Sequence, residues 1–453
     1  MKVRRVTRNI ETQLEPAKKQ YDVIIAGGGP SGATAAIILA RAGVRVLIVE
    51  KAEFPRFQIG ESFLPATFTL MRELGLIEKL RALPHTVKLG AEFGMADSLD
   101  TTVVRFSLKL AGESLETFNI ARADFDHMLL NAAIEAGAVV EQPMGLRTIE
   151  RLADEDVAVV TDDGKSLTAK YLIDASGHGT LVGRHLGTRR VLPDQHLQKA
   201  AYFSHFEGVQ RLEGDLDGHP TIAVCDEGWF WIIPLNAKVT SVGLVMDPKQ
   251  VRRVGIPAEQ MLQWGIARCP LVASRMKNAT GPATNRVRSD FSFRCDPFAG
   301  PGHFLVGDAA MFLDPVFSTG VCAGMMSASY AANHLIDILQ KGKSPDGARR
   351  EYLRVVKTGL RWFTRLVELF YDHRFREMLL HGEGPLDVRG SVLALLAGNV
   401  FPKPNFAVRW RFRLFEWLIR IQRFFPLVPR RRRFSLFTSP YAQNSPTHAL
   451  VAT

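Results

Sequence analysis

The chain reads as an α/β protein: a Rossmann-like dinucleotide-binding domain, a separate β-sheet and a helical C-terminal region. Three observations predict this. A complete βαβ unit with a glycine turn occupies residues 21–50. Apolar, β-branched and aromatic runs crowd the stretch between residues 202 and 246. From about residue 346 apolar positions recur at helical spacing, broken at Pro402, Pro404, Pro426 and Pro429.

The elements follow in order. Residues 1–20 are basic and polar, lack the apolar stretch of a signal peptide and read as a mobile arm. Tyr21–Ala26 is short and rich in Val and Ile, as a buried parallel strand is. Ser31–Ala42 follows as a helix and Val44–Val49 as a second buried strand ending at Glu50. Asp124–Ala136 has helical periodicity. Val157–Thr161 and Leu167–Ile173 flank the turn Asp162-Asp163-Gly164 as strands. Tyr202–Phe206, Thr221–Cys225, Phe230–Ile233 and Val239–Met246 form the separate sheet. Phe304–Val306 returns to the first domain, and Gly320–Leu339 is a long helix of small residues. The expected organisation is therefore an arm over 1–20 and the dinucleotide domain over 21–190, interrupted near 100–120 by strands of the other sheet. That sheet spans 191–284, the dinucleotide domain returns over 285–345, and the helical region covers 346–453.

The 453 residues exceed one compact core, and 46% apolar with 23% charged residues is the balance of a globular protein. Net charge is +11, yet residues 401–453 hold nine Arg and Lys403 against Glu416 alone, so the tail carries +9 of it. That is a basic tail, not a basic fold. Cys225, Cys269, Cys295 and Cys322 are far apart, with no CxxC or Cys/His spacing. They read as reduced thiols of a cytoplasmic protein, with no metal site. No apolar run approaches the ~20 residues of a bilayer span.

Gly27, Gly29 and Gly32 have the spacing G-x-G-x-x-G between a strand and a helix. The first permits a tight turn, the second lets a pyrophosphate approach the backbone, and the third lets helix and strand pack closely. The helix N-terminus offers free N–H groups to the phosphates. Glu50, at the end of the second strand, can accept bonds from a ribose diol. Three later segments favour FAD over NAD. Arg122 precedes Asp124-Phe125-Asp126, Asp174-Ala175-Ser176-Gly177 ends a strand, and Gly307-Asp308-Ala309-Ala310 follows another. They resemble, in order, the phosphate-side arginine, the adenosine-side turn and the ribityl-binding aspartate of FAD monooxygenases. The resemblance implies a para-hydroxybenzoate hydroxylase-like FAD-binding domain with a β-sheet substrate domain, over residues 21–345.

Two further segments narrow the family. Gly228-Trp229-Phe230-Trp231-Ile232-Ile233-Pro234 carries W-x-W-x-I-P, and Phe312 to Gly320 carries F-x-x-P-x-x-S-x-G. Together they resemble the signature of flavin-dependent halogenases, in which halide and oxygen yield an electrophilic halogen. Trp229 and Trp231, at i and i+2, share one face of a strand. The resemblance makes them a partition that keeps an organic substrate off the flavin. It places chloride or bromide at the amides of Thr319 and Gly320, beside Ser318 of the same catalytic segment. Lys88, in His85-Thr86-Val87-Lys88-Leu89-Gly90-Ala91-Glu92-Phe93, resembles the family's lysine, which receives or orients hypohalous acid at the end of a tunnel. Gly60-Glu61-Ser62, after Arg56-Phe57-Gln58-Ile59, resembles a family segment near the cofactor.

One departure is informative. Tryptophan halogenases carry a glutamate just before the equivalent of Ser318, thought to stabilise a cationic ring intermediate. Here that residue is Phe317. The resemblance therefore points to the phenol- and pyrrole-type enzymes of natural-product pathways, some of which take substrates tethered to acyl carrier proteins. It implies FAD supplied as FADH2 by a separate flavin reductase, because no second nucleotide fingerprint is present. Two rivals stay open: an aromatic hydroxylase of the same fold, and a non-catalytic flavin-binding protein docked by its tail. Arg409, Arg413, Arg420 and Arg423 can share a face in the tail, with Arg430–Arg433 beyond. Three readings follow: a helix packed on the body, docking of 409–433 on the inner face of a membrane, or docking of an acidic carrier protein. Nucleic acid is not expected, as no recognition fold accompanies the charge.

Overall fold

The computed structural model describes residues 20–441, except 98, 107–116, 195–196, 283–284, 290–291 and 383. The arm expected over 1–20 lies, but for residue 20, outside the described residues.

The first sheet follows from the all-apolar runs. Val23–Ala26 and Val46–Val49 are buried along their length, as strands covered on both faces must be. Tyr21–Ala26 lies between Val46–Val49 and Ser166–Asp174, parallel to both. Val139–Glu141 extends one side and His303–Leu305 the other, again parallel. The hairpin Leu146–Ala153 and Asp156–Thr161 pairs antiparallel on Ser166–Asp174. The helix Pro30–Arg41 crosses from the first strand to the second, starting with Pro at its first position. It packs on the long helix Thr319–Lys341. Small residues permit that approach: a Cβ on Gly324 would lie 2.4 Å from Ser31 Oγ.

The second sheet has seven strands in the order Arg286–Arg288, Ala200–Glu207, Val239–Met246, Gly228–Pro234, Thr221–Val224, Gly90–Met95 and Thr101–Arg105. The last two come from early in the chain, and the strand Arg286–Arg288 from beyond residue 284. Along Gly228–Pro234 the side chains alternate between two cores. Trp229 and Trp231 join the large core shared with the first sheet, whereas Phe230 and Ile232 join a smaller core on the other side. The C-terminal region is helical at Pro345–Phe370, His373–Leu380, Val388–Leu396 and Phe406–Ile421. No helix among the described residues is long and apolar enough to cross a membrane.

Candidate active site

A cavity of about 940 Å³ runs from the glycine turn to the paired tryptophans. Its first end is backbone. Gly27 has φ +102°, and a Cβ there would lie 2.5 Å from Ala175 O. A Cβ on Gly32 would lie 1.9 Å from Gly27 O. Only hydrogen at both positions lets the turn close. Glu50 is buried; its carboxylate accepts from Gly28 N at 2.7 Å and Ala52 N at 2.8 Å. Those bonds aim it at the strand end, on the cavity wall.

Arg122 opens the helix Arg122–Glu135 and lines the cavity. Its guanidinium makes a two-pronged pair with buried Asp126 at 2.7 and 2.9 Å, and donates to Ile59 O at 2.6 Å. Arg56 approaches the same carboxylate at 3.1 Å. Asp308 also lines the cavity, 3.7 Å from His178 Nε2. Gly60, Glu61 and Ser62 line it as well, and Glu61 meets His205 Nε2 at 2.9 Å.

The other end is built from side chains. Trp229 and Trp231 line the cavity with ring centroids 5.9 Å apart. Trp231 donates to Ser241 Oγ at 3.1 Å. Its indole covers Gly243, where a Cβ would lie 2.3 Å from the ring. Trp229 donates to Tyr371 Oη at 3.2 Å, and Tyr371 donates to Asp314 Oδ2 at 2.6 Å. Asp314 also accepts from Val316 N at 3.0 Å. The Lys199 amine lies 4.6 Å over the Tyr371 ring. Burial raises the Asp314 carboxyl and lowers the Lys199 amine from their ordinary ranges. The chain of bonds therefore ties the Trp229 indole to the segment entering the long helix.

Ser318 begins that helix in the left-handed region, φ +57°, and makes no side-chain capping bond. The first-turn amides of Thr319 and Gly320 thus stand at an N-terminus that its own cap residue leaves uncapped. Ser318 and Gly320 line the cavity, and Thr319 lies beside them.

Lys88 is 4% exposed and does not itself line the cavity. It sits one side chain behind the wall, its Nζ donating to Ser62 Oγ and Phe63 O at 2.9 Å each. Burial lowers its pKa to about 7.

Comparison with known proteins supplies the chemistry. The FAD binding domain family matches residues 20–352. The chain is 31% identical to a 1H-pyrrole-2-carbonyl-[peptidyl-carrier protein] brominase of Pseudoalteromonas luteoviolacea, over 84% of this chain and 93% of that one. It is 28% identical to the corresponding chlorinase of Pseudomonas fluorescens, over 84% and 90%. The solved flavin-dependent brominase Bmp2 superposes with a TM-score of 0.77 at 28% identity, covering 89% of this chain and all of that one. The chain belongs to the flavin-dependent halogenases. It is thus an FAD-dependent oxidoreductase with halide as co-substrate.

The halogenase's cavity fits that cofactor. Its glycines leave a cradle that any Cβ would fill, and Glu50 stands where the second strand ends. Several lining or supporting residues carry little signal in the sequence. Arg56 lies in a segment recognisable only as a whole, and His178, which packs 4.4 Å from Phe312, follows a recognisable turn without standing out in it. Asp314, Tyr371 and Lys199 have no motif of their own.

Proposed function

We propose that this halogenase installs chlorine or bromine on an electron-rich pyrrolic or phenolic ring, foremost a pyrrole-2-carbonyl group held on a carrier protein. Phe317 carries the reading. It is buried against Phe370, ring centroids 5.3 Å apart, at the position where the tryptophan halogenases it departs from carry a glutamate. A pyrrole or phenol supports a cationic ring from its own lone pair. The brominase and chlorinase described above both act on pyrrole-2-carbonyl groups of a carrier protein, which favours the pyrrole.

Bound reduced FAD, delivered by a separate flavin reductase, supplies with oxygen the oxidising power that turns halide into hypohalous acid. Gly27, Gly29 and Gly32 would admit the pyrophosphate, Glu50 would accept from the ribose, and Arg122 and Asp308 would hold the cofactor between its two ends. The amides of Thr319 and Gly320 hold the halide, with Ser318 setting the turn; anions favour helix N-termini. Trp229 and Trp231 keep the organic ring off the flavin, and the strands of 191–284 form the substrate side. Hypohalous acid that passes Ser62 meets the Lys88 amine, whose remaining N–H donates to the hypohalous oxygen and makes the halogen more electrophilic. The neutral amine can instead take the halogen onto nitrogen, the O–halogen bond breaking and the hydroxide leaving as water with an amine proton. From hypohalous acid the ring carbon then takes the halogen as its bond to oxygen breaks, and the ring proton leaves with the released hydroxide as water.

The test is a carrier protein loaded with pyrrole-2-carbonyl, given FAD, a flavin reductase and chloride or bromide. Intact mass should show halogen replacing hydrogen. Hydroxylation without halogen, or chlorination of free tryptophan with none on pyrroles or phenols, would sink the reading.

A further inference from the structure

The C-terminal helix Phe406–Ile421 has a buried face and an outer face of unlike character. Val408, Phe412, Phe415 and Ile419 are buried on the body. Outward stand Phe406 (72% exposed), Arg413, Trp417 (55%), Arg420 and, just past the helix, Phe424 (73%). From Arg413 on, each follows the last by three or four residues, so they form one ridge in which aromatics and arginines alternate. The lone acid of the helix, Glu416, is taken by Arg365.

The turn after the helix extends the ridge. Phe425 is 71% and Leu427 48% exposed, flanked by Arg423 on one side and by Arg430, Arg432 and Arg433 on the other. This is not a frayed end. Gln422, 1% exposed, accepts from Leu427 N at 2.7 Å and Val428 N at 3.1 Å, and donates to Val428 O at 2.9 Å. Buried Glu377 accepts from Gln422 Nε2 and Arg431 N at 3.1 Å each. A braced turn that holds two phenylalanines out to water marks an interaction surface.

We propose that this ridge docks the protein on an anionic lipid surface. Phe424, Phe425 and Leu427 enter the acyl boundary, Trp417 and Phe406 lie at headgroup depth, and the surrounding arginines bind lipid phosphates. The order of chemistry matches an interfacial helix: apolar groups outermost, with guanidinium groups beside them and no free acid on the helix. The helix, about 24 Å long, lies flat and leaves the body in water. An acidic carrier protein matches the arginines equally but fits the ridge less well, because acidic side chains would leave the outermost phenylalanines without an apolar partner.

The experiment is sedimentation of the full, FAD-loaded chain with vesicles. It should pellet with phosphatidylglycerol/phosphatidylcholine vesicles and stay in solution with phosphatidylcholine alone. Raising the salt to about 0.5 M should weaken binding about tenfold or more, through screening of the arginines. The double variant Phe424→Ser with Phe425→Ser should lose about tenfold in binding while keeping FAD content and thermal midpoint. The variant Arg430→Gln with Arg432→Gln should lose less. No pelleting with anionic vesicles, or pelleting indifferent to both variants, overturns the proposal. So does a ridge that binds a carrier protein or a second copy of the chain, with vesicle binding absent.

Discussion

The glycine-turn end of the cavity is shaped by backbone, and the tryptophan end by side chains that reach each other across long stretches of chain. At the first, Gly27 and Gly32 act through the absence of a Cβ, within six residues. At the second, Trp229, Asp314 and Tyr371 meet from three separate segments. A backbone site tolerates almost no substitution, since every added atom clashes. A side-chain site degrades by steps, because each partner removed leaves the others partly held.

Substitutions can break or sharpen that contrast, and the largest effect belongs to the glycine end. Gly32→Val puts a branched side chain where even a Cβ would meet Gly27 O at 1.9 Å. The purified variant should carry almost no FAD by absorbance; wild-type flavin content would refute the cradle. Next is Lys88→Ala, which should retain FAD and normal reoxidation of reduced flavin. Halogenated product should fall about 100-fold or more, the scale of a positioned proton donor. Undiminished product would refute the role given to the amine.

A third effect is on stability, read against Lys88→Met. Burial depresses the folded pKa of Lys88 to about 7, far below its ordinary 10.5. Below pH 7 both folded and unfolded chains carry the charge, and the penalty of burying it is full. Between about 7 and 10.5 the unfolded chain holds a proton the folded chain has lost, so stability rises with pH. From pH 7 to 9 the wild type should gain roughly 2 kcal/mol relative to the methionine variant, since one proton's difference changes stability by at most about 1.4 kcal/mol for each step of one in pH. Denaturant midpoints at the two pH values measure it, and a flat difference would mean the amine is hydrated. Smallest is Tyr371→Phe. Removing the hydroxyl strips the Trp229 N–H of its acceptor and Asp314 Oδ2 of its donor, while Asp314 keeps its bond from Val316 N, costing about 1 kcal/mol. FAD should stay bound, while more reduced flavin is consumed per product formed. An unchanged melting temperature would mean the hydroxyl holds nothing.

The same contrast explains what is legible in the sequence. Apolar runs and glycines are local signals, so Val239–Met246 falls where its pattern predicts, and the first helix, Pro30–Arg41, differs from its expected span by one residue at each end. The hairpin strand Leu146–Ala153 gives no such signal, because most of its side chains are exposed or half-buried, without strict alternation. Gly90–Met95 joins the second sheet from more than a hundred residues upstream of its neighbour Thr221–Val224, a pairing no local pattern encodes. Tyr371 reads as one more aromatic at a helix end, and only the fold brings it to Asp314, 57 residues earlier. Lys88 is legible from its neighbours in sequence, but the place of Ser62 between it and the cavity is not.

Phe317 bears on redesign. Its ring stands edge-on to Phe370, in the helix Pro345–Phe370, and 6% of it is exposed. Grafting a glutamate there, to accept rings that cannot activate themselves, would force an unpaired anion against an aromatic face. The carboxyl would hold its proton at neutral pH and fail at the task. A useful graft must change both positions together, with a hydrogen-bond donor introduced at 370.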